Sequence, residues 1–348
     1  MTRYLFDLGY DELKDFFRSL EEPDYRADQL WTGLFSHFWS SPDQFTTFPK
    51  DLRHQLAELL DFTHLEPEQV LQSGDGATVK TLYRLPDGLA IETVLMSYQQ
   101  RNTVCISSQV GCGMGCDFCA TGKMGFLRNL SSGEIAEQVV RAAAHLAQKE
   151  EELTNVVFMG MGEPFHNYDK VMAAIDLLND PQGMNIGARR FTISTVGLVP
   201  QIYRFTGEDS QVNLAVSLHA VDDDLRSSML AVNQKYPVQE LLAACRHYVE
   251  KTNRRITFEW ALIYGVNDTA EQAKKLVDAL GDLLAHVNVI PLNPNAHYPG
   301  QPSSEQRVRQ FQQILQEAGI PCTIRLRRGI DIQAGCGQLA SQANPKQS

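Results

Sequence analysis

Cys112, Cys116 and Cys119 stand at a C-x3-C-x2-C spacing within Cys-Gly-Met-Gly-Cys-Asp-Phe-Cys. Thiolates are ligands for iron or zinc, and this spacing lets one short loop wrap three of them round a single centre. Gly111, Gly113 and Gly115 offer that loop the backbone angles a tight wrap needs. Three thiolates leave one iron of a [4Fe–4S] cluster open, which suits an enzyme better than an electron carrier. The competing centre is a structural zinc with Cys105 as fourth ligand. Such sites usually pair two C-x2-C-like halves across a longer segment, whereas Cys105 stands alone, so iron is the better expectation.

Other stretches carry weaker signals. Met159-Gly-Met-Gly162-Glu163-Pro164 follows an apolar run. Its glycines let a ligand approach the backbone, and Glu163 is placed to take an ammonium group; alone, the stretch reads equally as a strand-ending turn. Ser194, Ser217 with Leu218 and His219, and Asn293 also close strand-like runs, where hydroxyls and amides commonly serve only the local backbone. Cys336 lies between Gly335 and Gly337, a setting for an exposed, movable thiol. Cys105, Cys245 and Cys322 sit in apolar surroundings and read individually as core thiols. Glu92 is a carboxylate in the otherwise apolar Ala90-Ile-Glu-Thr-Val-Leu, either on a solvent face or an unusually placed acid.

The elements that would position these residues can be read from periodicity. Asp11 to Leu20, Arg26 to Trp39 and Leu52 to Leu60 carry apolar stripes at helical spacing. They predict a small helical domain over 1–64. Val79 to Leu85 and Ala90 to Tyr98 alternate about a Pro86-Asp87-Gly88 turn, which predicts a β-hairpin connection over 65–100. Beyond it, strands are expected at 103–108, 154–159, 190–195, 212–218, 255–263, 286–291 and 321–326. Helices are expected at 132–149, 168–179, 238–252, 269–283 and 304–318. Such alternation implies a parallel sheet, an α/β fold, with the chemistry collected at the open side of a (β/α) barrel over 101–340. No internal repeat is evident, and the polar tail at 341–348 is expected to fray.

Composition narrows the functional classes. The chain has 348 residues, 43% of them hydrophobic, and no apolar run of about 18 residues that would cross a membrane. The N-terminal stretch has no apolar signal core, and the seven clustered cysteines fit a reducing compartment, so a cytoplasmic protein is expected. A net charge of −11 argues against a surface coated for nonspecific nucleic-acid binding. A local basic rim remains compatible with it, drawn from Lys123, Arg128, Arg189, Arg190, Arg325, Arg327 and Arg328.

Taken in order, these stretches resemble a known family. The cysteine triplet with Phe118 before its last member resembles the cluster loop of the radical S-adenosylmethionine (SAM) superfamily. Adding Cys105-Ile-Ser-Ser-Gln-Val-Gly-Cys112, Ala120 to Phe126, Met159 to Pro164, Ser217-Leu218-His219 and Asp331 to Leu339, the chain is similar to the dual-specificity RNA adenosine C2-methyltransferases from about residue 20 to residue 340. The cluster motif alone indicates only the superfamily; with the Cys336 segment it is specific. The resemblance implies a partial (β/α) barrel of the radical SAM type. It implies a [4Fe–4S] cluster on Cys112, Cys116 and Cys119, and SAM contacted by Gly162, Glu163, Ser194, Ser217, Leu218, His219 and Asn293. It also implies Cys336 as the thiol that is itself methylated, Cys105 as its disulfide partner and Glu92 as proton acceptor.

The partners implied are ribosomal RNA, transfer RNA and an electron donor such as a flavodoxin or ferredoxin, with the chain acting as a monomer and the N-terminal domain helping to hold RNA. In the family's mechanism one SAM methylates the cysteine, and a radical from a second takes hydrogen from that S-methyl group. The carbon radical adds to C2 of adenine, which lies between two ring nitrogens and is too electron-poor for polar methyl transfer. A related group methylates C8 and confers antibiotic resistance. Glu22-Pro-Asp-Tyr-Arg26 and Gly329-Ile-Asp-Ile have some of its character, but the cluster loop and Met124 to Asn129 look more like the C2 group. A zinc-stabilised RNA-binding protein, the reading from another class, would be colourless.

Overall fold

Helical stripes and strand alternation both survive into three dimensions. The computed structural model describes residues 2–99, 101–325 and 327–339. The N-terminal part is built from α1 (Tyr10–Ser19), α2 (Tyr25–Phe35) and α3 (Lys50–Leu59). They bury Leu13, Phe17, Leu30, Trp31, Leu34 and Leu56 at three- and four-residue spacings. α2 ends at Phe35, short of the expected Trp39, and Phe38 beyond it takes a left-handed φ of 57°. Two short strands, β1 (Arg3–Tyr4) and β2 (Leu60–Asp61), pair in parallel beside it.

This unit is fastened to the rest through Glu137, whose carboxylate is buried. It accepts hydrogen bonds from the Tyr4 hydroxyl, Thr63 Oγ1 and the backbone N–H of His64, and it pairs with Arg141 at 2.9 Å. A buried charge with this many donors is compensated rather than stranded. Burial, with Glu137 beside it, pushes the Tyr4 hydroxyl up.

Next come β3 (Glu66–Gln72), β4 (Thr78–Arg84), β5 (Ala90–Tyr98) and β6 (Arg101–Cys105), each antiparallel to the one before. The expected hairpin is therefore not a separate connection: through pairs such as Val94 with Cys105 it extends the main sheet. β3 was not foreseen, since Glu-Pro-Glu-Gln is polar and exposed, as an edge strand tolerates. A second hairpin, β7 (Gln109–Cys112) with β8 (Gly125–Asn129), brackets the cysteine loop and α4 (Ala120–Lys123). Gly111 has a φ of 72°, and a Cβ there would lie 1.9 Å from the Gly125 carbonyl oxygen, so only glycine lets these strands close.

From β6 the sheet continues in parallel through β9 (Asn155–Phe158), β10 (Phe191–Thr195), β11 (Asn213–Ser217), β12 (Ile256–Leu262), β13 (Ala285–Pro291) and β14 (Cys322–Ile324). All seven strands expected beyond residue 100 are these parallel strands. The helices between them are α5 (Ser132–Ala147), α6 (Tyr168–Asn179), α7 (Val199–Thr206), α8 (Asp223–Met229), α9 (Val238–Thr252), α10 (Ala270–Leu280) and α11 (Glu305–Glu317). α7 and α8 were not foreseen, being about two turns each. Ser131 and Glu134 cap α5 reciprocally at 3.1 and 2.9 Å. Asp222, Thr269 and Ser304 cap α8, α10 and α11 with single hydrogen bonds.

The sheet's end strands β3 and β14 do not pair with each other, so the barrel is partial. Alternation decides what each end of it offers. In β10, Phe191, Ile193 and Thr195 are buried while Thr192 and Ser194 face the lumen. Successive inward residues step from the foot of a strand to its head: Arg101, Thr103 and Cys105 on β6, Asn213 to Ser217 on β11, Thr257 and Glu259 on β12. The expected frayed tail at 341–348 lies outside the described residues.

Candidate active site

Cys112, Cys116 and Cys119 line one cavity at the heads of the parallel strands, together with Gly162, Glu163, Ser194, Ser217, His219 and Asn293. Of the three loop glycines, Gly111 and Gly115 take positive φ and Gly113 does not. Burial pushes the Cys112 thiol up to about 12, and Cys116 and Cys119 rise for the same reason. Among the described residues no three His, Cys, Asp or Glu side chains converge where one metal ion could hold them. Cys105, the fourth ligand that a structural zinc would need, lies in a different cavity. Three soft thiols on one loop, which burial keeps neutral unless cations compensate them, are a fitting donor set for a multi-iron cluster, in which each thiolate takes its own iron.

Glu163 is buried at the end of β9. Its Oε1 accepts from the N–H of Phe165 at 3.0 Å and its Oε2 from the N–H of Val196 at 2.9 Å. Burial nevertheless raises its carboxyl to about 7. Two backbone donors fix its direction, and the remaining lone pairs can serve a cationic ligand. Gly162 has a φ of 104°, and a Cβ there would lie 2.6 Å from Gln109. Gln109 in turn accepts from the N–H of Glu163 at 2.8 Å. The strand end is thereby clamped to the cysteine hairpin.

His219 adopts a left-handed φ of 59°. Its Nδ1 accepts from the N–H of Ala261 at 2.9 Å, and burial lowers its pKa to about 3. The ring is therefore neutral with its proton on Nε2, a donor for a ligand in the cavity. Leu218 does not line the cavity. Its side chain is fully buried, its N–H donates to the Glu259 carbonyl and its own carbonyl accepts from Arg226. Arg226 is a positioning residue that the sequence did not disclose. Its buried guanidinium donates to the carbonyls of Leu218 (3.0 Å), Val196 (2.7 Å) and Ser217 (3.2 Å) and to Asn233 Oδ1 (2.8 Å). It thus ties the heads of β10 and β11 together. One arginine in Asp222-Asp-Asp-Leu-Arg looks like a surface charge until the fold turns it inward.

Cys336 is the exposed thiol among seven free cysteines. Its loop is fixed at both sides. Asn293 Nδ2 donates to the Cys336 carbonyl at 3.1 Å, Ala120 N to the Gly337 carbonyl at 2.8 Å, and Gly74 N to Asp331 Oδ2 at 2.8 Å. Cys336 lines the cluster-loop cavity and also a smaller one that contains Cys105. Burial pushes the Cys105 thiol up to about 12, with Cys336 adding to the shift. Arg325 Nη1 stands 4.0 Å from Cys336 Sγ and 3.8 Å from Glu259 Oε2.

Glu92 lines neither cavity. It is buried on the same sheet face as Cys105 and pairs with Lys80 at 3.1 Å, while its Oε2 has no hydrogen-bond partner among the described residues. Lys80 also donates to the Gln333 carbonyl at 3.2 Å, on the loop that carries Cys336. Of the expected basic rim, Lys123 is paired with Asp117, and Arg128 with Asp87 and Glu134. Arg325 is mostly buried rather than a rim charge.

Comparison with known proteins agrees with this geometry. Residues 106–280 match the radical SAM superfamily, and residues 4–61 match the N-terminal domain of ribosomal RNA large subunit methyltransferases. A probable dual-specificity RNA methyltransferase RlmN of Chloroflexus aurantiacus is 50% identical over 98% of this chain and 93% of its own length. A dual-specificity RNA methyltransferase RlmN 1 of Myxococcus xanthus is 49% identical over 96% of this chain and 93% of its own. The crystal structure of a radical SAM methyltransferase from Sphaerobacter thermophilus superposes with a TM-score of 0.96 at 50% identity, covering 98% of this chain and all of that one. No helix among the described residues is long and apolar enough to cross a membrane. With the cysteine loop, the strand-end cavity and both halves of the chain matched, the protein belongs to the RlmN family of radical SAM, SAM-dependent RNA methyltransferases.

Proposed function

We propose that the chain methylates C2 of an adenosine in 23S ribosomal RNA, and in transfer RNA, through an S-methylated Cys336. The observation that carries this reading is the position of Cys336 on the wall shared by two cavities, one holding the cluster cysteines and the other Cys105. A thiol there can receive a group on one side and present it to a base on the other.

A [4Fe–4S] cluster on Cys112, Cys116 and Cys119, with SAM beside it, supplies when bound the radical chemistry that an electron-poor ring carbon demands. The protein's own residues do the rest. Glu163 holds the ammonium of SAM, while Ser194, Ser217, Asn293 and the Nε2–H of His219 serve its other polar groups and the Gly162 backbone allows close approach. Cys336 carries the methyl carbon to the base. Cys105, as its thiolate, resolves the adduct by forming a disulfide with Cys336 while the bond from Cys336 sulfur to that carbon breaks. The electron pair stays on the carbon, which takes up a proton to become the methyl group. Glu92, held by Lys80, is the acceptor of the C2 proton. The target base enters unstacked, with the N-terminal helices holding the surrounding RNA. The chain acts as a cytoplasmic monomer supplied with electrons by a flavodoxin or ferredoxin.

Nucleoside mass spectrometry of RNA from cells with and without the gene tests this reading. The 2-methyladenosine of 23S ribosomal RNA should disappear with the gene. Loss of 8-methyladenosine instead would assign the other ring carbon and leave the rest of the site intact.

A further inference from the structure

The inward residues at the foot of the barrel belong to no part of the site above. They enclose a well of ≈ 730 Å³ at the opposite end of the strands. Arg101 at the start of β6, Arg189 before β10, and Arg254 and Arg255 before β12 line it. Among the described residues none of the four is paired with a carboxylate. Arg189 and Arg254 instead converge on one neutral amide oxygen, Gln211 Oε1, at 3.1 and 3.0 Å. Arg254 Nη2 donates to Asn213 Oδ1 at 2.9 Å, while its Nε is buried without a partner. The carboxylate on the wall, Glu259, is already engaged by Asn288 at 2.9 Å and faces Arg325. Guanidinium groups gathered round one amide oxygen repel one another unless an anion joins them. In a chain of net charge −11 their concentration in one concave site is the more telling.

We propose that this well binds phosphate groups, and that they belong to the RNA strand whose target base occupies the Cys105–Cys336 cavity; the second half of the statement rests on the functional reading above. Planar guanidinium forks match phosphate oxygens bidentately. The two sites are contiguous, because Tyr98, Met159 and Arg325 line both the well and the Cys105–Cys336 cavity. Tyr98 has the guanidinium carbons of Arg101 and Arg328 each 4.5 Å from its ring centre. The path from cavity to well is therefore cationic along its length. A five-residue strand such as β6 spans only ~17 Å, so a short run of nucleotides bridges the two.

The test uses the full chain and the double variant Arg189→Gln/Arg255→Gln, both positions being exposed. Binding of a fluorescent RNA hairpin carrying a single-stranded loop is followed by anisotropy over a potassium chloride series. Each single-strand phosphate contact contributes about 0.7 to the slope of log affinity against log salt, so the double variant should lose about 1.4 of that slope. An exposed arginine elsewhere, Arg309 on α11, should leave the slope unchanged when substituted the same way. Calorimetric titration with pyrophosphate forms the second arm. A shallower slope supports the RNA assignment. Pyrophosphate binding lost in the variant with the slope unchanged would make the well a site for free phosphates and overturn the RNA assignment. An unchanged slope with no pyrophosphate binding by the wild type overturns the proposal. If 2-methyladenosine persists in cells lacking the gene, the functional reading fails, yet the pyrophosphate arm still reports on the well.

Discussion

The molecule holds two sets of cysteines, each on a cavity wall, built on opposite principles. Cys112, Cys116 and Cys119 share one hairpin loop, and their spacing alone brings them to one cavity. Cys105 and Cys336 are separated by most of the barrel and meet only because β6 ends where the C-terminal loop is pinned by Asn293, Ala120 and Gly74. The first set is written in sequence and the second in the fold. Substitutions in the two should therefore fail differently: the local set as a unit, the distant pair one step at a time.

The largest effect is expected in the local set. Cys116→Ala removes one of the three thiolates that the loop supplies; among the described residues the remaining cysteine on that cavity, Cys336, sits on a different loop. Iron content, brown colour and SAM cleavage should be lost together. A variant that kept full iron stoichiometry would place the cluster elsewhere.

The distant pair should split the reaction. Cys336→Ala has no thiol to receive the first methyl group, so neither methylated protein nor methylated RNA should form. Cys105→Ala keeps that acceptor and lacks only the thiol that resolves the adduct. It should accumulate protein covalently joined to RNA, visible on a denaturing gel as a retarded, nuclease-sensitive band. A folded Cys105→Ala that cleaves SAM and gives no such band would remove Cys105 from the mechanism.

The same contrast explains what the sequence disclosed. Seven parallel strands and five of the seven longer helices beyond residue 100 were legible, because alternation and apolar stripes are local patterns. The cysteine loop and the strand-end Glu163 were legible for the same reason. Arg226 was not, because its value lies in carbonyls from two neighbouring strands that only the sheet assembles. β3 escaped because an exposed edge strand needs no apolar pattern. The extension of the hairpin into the main sheet depends on the pairing of Val94 with Cys105, and pairing partners leave no trace in one-dimensional periodicity. Arg325 was read as a surface charge because nothing in Ile324-Arg-Leu-Arg-Arg distinguishes a lumen-facing arginine from the other two.

Glu163 sharpens the comparison more quietly, since it lines the same cavity as the cysteine loop and, in the proposed reading, acts through charge. Burial has raised its carboxyl to about 7. Without ligand, the stability this shift contributes is fully present below the ordinary glutamate value and is lost as pH rises through about 7. Binding an ammonium requires the ionised carboxylate and the protonated amine, so SAM affinity should climb as pH rises through about 7 and fall again above about 8, where an α-amino group loses its proton. Glu163→Gln removes the charge, and a charge-assisted hydrogen bond is worth about 1.5–3 kcal/mol. Affinity should fall about tenfold to a hundredfold, and its rise with pH should flatten. Equilibrium binding of SAM across pH 5 to 9 checks both, and an undiminished affinity in the variant moves the anchor to another residue.

The smallest effect belongs to cysteines that serve neither set, and it calibrates the others. Cys245 on α9 is fully buried, and burial pushes its thiol up to about 12. At neutral pH it is a protonated, small apolar side chain with no nucleophilic character. Cys245→Ala deletes one sulfur from a packed interior, which should cost about 1 kcal/mol and lower Tm by about 2 °C. RNA methylation at a temperature well below the transition should stay at the wild-type level. Alkylation gives an independent check on the ranking. In the native, cluster-free protein, iodoacetamide should modify the exposed Cys336 first, and Cys245 only once the chain unfolds. Prompt labelling of Cys245 in the folded protein would mean that α9 opens readily. The contrast between a buried core thiol and a thiol presented to substrate would then need another physical basis than burial.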